Sequence, residues 1–171
     1  TSVLHPDLGV LKKAIESNKQ RTVEIVLIDK FKNQLEDYQL VILYQPKNNF
    51  KSILSDIKTK RNNYFLITGA STDWSFINNQ QLGISKKAIS QTENYGGVFN
   101  TSFLTYLQKN IGFNQFPPLK DKFGEVVISK ESQTLLYQSV NSLETQDPLL
   151  ATFEENNQKF GFLLGEGLWK W

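Results

Sequence analysis

Cysteine is absent from this 171-residue chain, and so is methionine. Without cysteine there are no disulfides, no thiolate metal sites and no mechanism built on a cysteine nucleophile. Histidine occurs once, at His5. That excludes a His-rich metal centre, and any Ser–His couple would have to use this one ring. Arginine is nearly missing too: of 19 basic residues only Arg21 and Arg61 carry the guanidinium fork that base and phosphate recognition favours. The lysines are scattered single charges and the net formal charge is +2, so nucleic acid is not an expected partner. No apolar run approaches the roughly 18–20 residues of a membrane span, and no secretory signal opens the chain. No glycine-rich phosphate loop of Walker or dinucleotide type occurs, because Gly165-Glu166-Gly167 opens no helix. No cofactor and no metal are expected.

What is present suits one globular domain spanning residues 1–171. Hydrophobic residues make up 39% and aromatics 12%, enough for a core. A chain of this length buries about 70% of its unfolded surface. Asn and Gln are abundant but dispersed, which reads as polar surface and turns.

The first seventy residues alternate between two periods. DLGVLKKAIESN places Leu8, Leu11, Ala14 and Ile15 at helical spacing, with Pro6 and Asp7 favourable in the first turn. TVEIVLID (22–29) is β-branched and reads as a strand. YQLVILYQ (38–45) is a nearly unbroken apolar run, the mark of a strand covered on both faces, and Pro46 stops it. NNFKSILSDIKTK spaces Phe50, Ile53, Leu54 and Ile57 for a second helix, and NYFLITG (63–69) is the next strand. Strands alternating with helices predict βαβ units and a parallel sheet. TSVL reads as the stump of an earlier strand, and the chain as a domain excised from a larger protein.

The middle is less regular. A helix is expected to start at Asp73, and GISKKAISQTENYGGVFN reads as polar and turn-rich with a break at Gly96-Gly97. SFLTYLQKNIG suggests a short helix, and FPPLKDKFG a loop. The last third predicts antiparallel strands at EVVIS, QTLLYQSV, PLLATFEE and QKFGFLLGEG, with a tight hairpin at Asn156-Asn157. Trp169 and Trp171 alternate, and on a strand they would share one face.

In open α/β sheets ligands sit beyond the carboxyl ends of the strands. That rule nominates His5 and Asp7, then Gln45 and Asn48, then Gly69 through Trp74, as a ligand-binding edge of His5, Gln45, Gly69, Ser71, Asp73 and Trp74. Ser71 with His5 and Asp73 superficially resembles a triad. A hydrolase elbow, however, needs small residues on both sides of its nucleophile, and Asp73 stands where the second glycine belongs. The expected role of Ser71 or Thr72 is to cap the helix beginning near Asp73. A Ser71–His5 hydrolase, and carbohydrate binding through Trp74 or the terminal tryptophans, are the alternatives. The carboxylate pairs Glu36-Asp37 and Glu154-Glu155 read as solvated charge.

The order of a Pro-containing turn, LKKAIESN, LEDYQLVILYQP and YFLITGAS resembles the class I glutamine amidotransferase-like fold, a flavodoxin-like three-layer α/β arrangement with a mainly parallel sheet. FPPL, LLYQ, DPLLATFE and FGFLLGEGLWKW are similar to a branch carried in large bacterial membrane-anchored proteins with von Willebrand factor A-type regions. The resemblance puts Ala70 or Ser71 near the place of the nucleophilic cysteine of true amidotransferases. It implies a non-catalytic module with no cofactor. The implied partners are other domains of a membrane-anchored parent, or envelope proteins, and the implied setting is periplasmic.

Overall fold

The computed structural model describes every residue except Asn33 and Leu107. Two expected helices form where the apolar spacing places them. Helix α1 (Pro6–Glu16) starts on a proline whose missing N–H costs nothing in the first turn, with the His5 ring capping the Asp7 amide. Helix α2 (Lys51–Lys60) buries Ile53, Leu54 and Ile57 and ends on Arg61, which adopts the left-handed conformation. Between them lies β1 (Val41–Tyr44), and α2 leads into β2 (Tyr64–Ile67). Both strands are short and apolar, and both pair in parallel, Val41 opposite Tyr64. Helix α3 (Trp74–Asn79) begins one residue after Asp73, whose carboxylate accepts from the Phe76 amide at 3.0 Å.

The remaining strands are β3 (Ile84–Phe99), β4 (Leu119–Ile128), β5 (Gln133–Val140), β6 (Leu143–Glu155) and β7 (Gln158–Leu163). Among the described residues the sheet has seven strands, in the order β1-β2-β7-β6-β5-β3-β4. Strand β7 lies parallel to β2, with Tyr64 opposite Phe160, and every later pairing is antiparallel. The sheet is therefore mixed and mostly antiparallel, which corrects the expectation of a mainly parallel one. Its antiparallel half curls until Lys120, at the start of β4, exchanges backbone hydrogen bonds of 2.8 and 2.9 Å with Glu166, just beyond β7.

Two segments account for the difference. Residues 83–100, read as turn-rich, contain the sheet's longest strand. Its inward positions include Lys86, a charged residue where alternation calls for an apolar one, and a bulge between Ala88 and Thr92 interrupts the pattern further. Gly96 and Gly97 pair with Ser139 and Gln138 instead of breaking the strand. A Cβ on Gly96 would meet the Ser139 hydroxyl at 2.5 Å, so a larger residue there would make that hydroxyl turn aside. Conversely, Thr22–Leu27 joins no ladder, although its composition is strand-like. Its Val23 amide donates to the Glu16 carboxylate at 2.8 Å, and the Lys12 ammonium donates to the Val23 carbonyl at 2.6 Å. FPPLKDKFG likewise enters β4 from Leu119 on. No helix forms over the described part of 102–112, where Phe103 packs edge-on against Tyr106 and Leu107 lies outside the described residues.

The core is one cluster around Leu43, Leu66, Ile67, Leu136, Leu149 and Phe162, each almost wholly buried. Phe153, Phe160 and Tyr64 stack in sequence at centroid spacings of 4.7 and 5.3 Å. Asn156 and Asn157 turn between β6 and β7 with φ of 50° and 64°, the positive angles a two-residue hairpin demands. Asn157→Gly should raise stability by about 0.5 kcal/mol and Asn157→Val lower it by about 1–2 kcal/mol, because only the latter opposes the left-handed conformation. Urea midpoints at constant m measure both.

Candidate functional site

The carboxyl ends of β1, β2 and β7 and the start of α1 meet in one polar cluster. Strand β1 delivers Tyr44 and Gln45, and Gln45 adopts φ of 45° as the chain leaves the sheet. The Gln45 carbonyl oxygen Oε1 accepts from the Ser71 amide at 3.0 Å, and its Nε2 donates to Glu166 Oε2. This amide lies directly over Gly69, where a Cβ would meet Gln45 Nε2 at 2.7 Å. Glu166 projects from a turn whose flanking Gly165 and Gly167 both hold φ of 118°, a conformation side chains rarely take.

His5 and Asp7 face this group from α1. The Asp7 carboxylate is fully buried, and its Oδ2 accepts from the Gly167 amide at 2.8 Å and the Tyr44 hydroxyl at 2.9 Å. Its Oδ1 accepts from the Trp169 amide at 3.0 Å. His5 Nδ1 accepts from the Asp7 amide at 3.2 Å and stands 2.7 Å from the Tyr44 hydroxyl. An accepting Nδ1 leaves the ring proton on Nε2, which faces Glu166 Oε2 at 3.8 Å. Burial, with the Asp7 and Glu166 carboxylates adding to it, pushes the Tyr44 phenol up, so it stays a proton donor.

The six residues nominated as a ligand-binding edge thus divide. His5, Gln45, Gly69 and Ser71 belong to the cluster. Asp73 does not face it, since its carboxylate caps α3 and its amide donates to the Pro46 carbonyl at 3.1 Å. Trp74 is buried, with the Lys86 ammonium 5.5 Å from its ring centroid, and offers no open face. Asn48 sits in an exposed 3₁₀ turn. The cap of α3 is Asp73 and not Ser71 or Thr72; Thr72 instead accepts from the Gly69 amide at 2.9 Å and closes the turn. The terminal tryptophans do not share a face. Trp171 packs on Phe113 and Phe116 and donates to the Pro117 carbonyl, whereas Trp169 is half exposed.

Sequence reasoning missed Tyr44 and Glu166 as members of the site. Tyr44 hides inside an apolar run. Glu166 carried a usable signal, a carboxylate between two glycines at a strand's carboxyl end.

A second polar cluster lies beneath the first. Lys86 Nζ and Asp121 Oδ2 pair at 2.9 Å with both side chains inaccessible, and Thr68 donates to the same oxygen at 3.1 Å. The Gly165 amide donates to Thr68 Oγ1, tying this cluster to the end of β7. Burial pushes the Lys86 ammonium down and the Asp121 carboxyl up, while each partner opposes the other's shift.

Among the described residues no group of three or more His, Asp or Glu side chains is placed to hold a metal, and no helix is long and apolar enough to cross a membrane. No protein-family model matches the chain, and no curated protein matches it.

Proposed function

We propose that this chain is a non-catalytic α/β module of the class I glutamine amidotransferase-like, three-layer type. On this reading it acts through contact with other domains of a larger bacterial envelope protein, or with partner proteins on the periplasmic side. The sequence resemblance supplies the family, the membrane-anchored parent and the setting. The parallel β1-β2-β7 set, with a polar cluster at its carboxyl edge and a turn where amidotransferases carry their nucleophile, supports it. Apolar side chains left in solvent after β3 (Leu104, Tyr106, Ile111) and on the edge strand β4 (Phe123, Val127) support a contact role.

One observation carries the non-catalytic reading: the amides around Ser71 already have protein partners. Ser71 N–H is held by Gln45, Thr72 N–H by the Gly69 carbonyl at 3.0 Å, and Gly69 N–H by Thr72. An acyl-transfer site needs such amides free and aimed at the developing oxyanion. The one imidazole is engaged by Asp7 and Tyr44 rather than by Ser71. A serine-reactive fluorophosphonate should therefore give no Ser71-dependent labelling, with wild type and Ser71→Ala indistinguishable in labelling and in p-nitrophenyl acetate hydrolysis. Labelling that disappears in Ser71→Ala would establish the hydrolase instead.

A further inference from the structure

Strand β1 ends the sheet, and its outer edge faces an apolar slot whose far wall is the unpaired segment Thr22–Leu27. The slot is lined by Leu8, Leu11, Ile25, Leu43 and Phe50 and reaches Thr1, with about 830 Å³ of space not filled by protein atoms, part of it open to solvent. Both walls have strand composition, TVEIVL on one side and VILY on the other. Alternate backbone groups of both walls point into the gap. Val41 and Gln45 donate their amides to the β2 side, to Asn63 and Ile67, so the period of two turns Ile42 the other way. On the far wall Val23 is held on the α1 side by Glu16 and Lys12, which turns Glu24 and Val26 toward the slot.

Thr1 shows how the gap is read. Its amino nitrogen donates to the Val26 carbonyl at 3.2 Å, and its carbonyl accepts from the Ile28 amide at 2.7 Å. One residue bonding to the two neighbours of Leu27 in this sense is the repeating unit of a parallel ladder, with Thr1 opposite Leu27. Two adjacent parallel strands need a crossover, and α1 supplies it between Thr1 and Thr22.

We propose that the slot is a strand-docking site for one extended apolar segment continuing N-terminally from Thr1, parallel to Thr22–Leu27 and in register through Thr1. About five residues, at roughly 3.3 Å each, would run opposite Thr22–Val26. Filling the slot would join Thr22–Leu27 to the sheet and give the spatial order second, first, third, fourth that flavodoxin-like sheets use. The inference rests on the pairing geometry and stands whether or not the module is catalytic.

The test fuses Val-Ile-Val-Val-Ile directly before Thr1 and compares it with a Gly-Ser-Gly-Ser-Gly extension and the unextended chain. The strand-forming extension should slow hydrogen exchange at Glu24, Val26 and Ile42 by at least about tenfold and raise Tm by about 5 °C in a monomer. Gly-Ser should do neither. In the extended chain, Thr1→Pro removes the N–H that sets the register and should abolish most of the added protection. Equal exchange in both extended chains would overturn the proposal. So would protection that appears only with a doubled mass on size-exclusion chromatography, since a second copy would then be the occupant.

Discussion

Asp7→Ala is expected to destabilise the fold by about 3–5 kcal/mol, although Asp7 lies at the start of the first helix, where a solvated acid costs little to remove. Its carboxylate is fully buried and takes hydrogen bonds from the Gly167 and Trp169 amides and the Tyr44 hydroxyl. Removing it leaves the Gly167 and Trp169 amides without their acceptor, each costing about 1–3 kcal/mol when unpaired, while the Tyr44 hydroxyl can turn to His5 Nδ1, 2.7 Å away. The contacts join residue 7 to the last turn of the chain, so their loss should release Gly167–Trp171 first. Asp7→Asn keeps the shape but turns one acceptor into a donor that opposes the Gly167 amide or the Trp169 amide. Its cost should be about half as large. Urea denaturation gives both values, and hydrogen exchange at Gly167 and Trp169 separates local release from global loss. A cost below about 1 kcal/mol for Asp7→Ala would mean that the carboxylate does not hold the C-terminal turn.

Asp7 also shows where sequence reading reaches its limit. Its place at this edge was legible from the rule that ligands gather at carboxyl ends, although the strand expected over TSVL does not form within residues 1–4. Its use as a brace was not, because both backbone partners lie some 160 residues away. The helices and short parallel strands follow from local periodicity: Ile53, Leu54 and Ile57 make a stripe whatever lies elsewhere. The hairpin at Asn156-Asn157 was legible for the same reason, since positive φ is a property of the turn residues themselves. The long strand β3 was not. Its inward Lys86 is tolerable only because β4 brings the Asp121 carboxylate within 2.9 Å of the ammonium, and no pattern within residues 84–99 announces that partner. Thr22–Leu27 errs in the other direction. Its propensity is for a strand, but a strand needs a neighbour, and the adjacent place in the sheet is the open slot beside β1. Gln45 and Gly69 were found from strand ends, whereas Asp73 and Trp74 were drawn in by adjacency alone and belong to the helix that follows.

The buried Lys86–Asp121 pair should behave as a unit, and its pH response should reveal which charge is left behind. Either Lys86→Met or Asp121→Asn alone is expected to cost about 3–5 kcal/mol at pH 7, since each leaves the other partner uncompensated. The double replacement, Lys86→Met with Asp121→Leu, should cost less than either single change. It abandons the attraction but also the desolvation of two charges, and forfeits mainly the Thr68 hydroxyl's acceptor and the Lys86 contact 4.9 Å from the Tyr95 ring centroid. The single variants should then diverge with pH. In Lys86→Met, burial raises the Asp121 carboxyl with no ammonium to oppose it. A folded-state pKa above the unfolded one gives stability that is full at low pH and lost as pH rises through the folded value, so the penalty shrinks on acidification from pH 7 toward 4. In Asp121→Asn, burial lowers the Lys86 ammonium without a carboxylate to hold it up. A depressed folded-state pKa gives stability that is present at high pH and lost as pH falls through it, so this penalty shrinks between pH 7 and 10. Urea midpoints across pH 4–10 for the three variants decide the matter. Parallel pH profiles for the two single variants, or a double variant as unstable as the sum of the singles, would mean that the two charges are solvated rather than paired in the core.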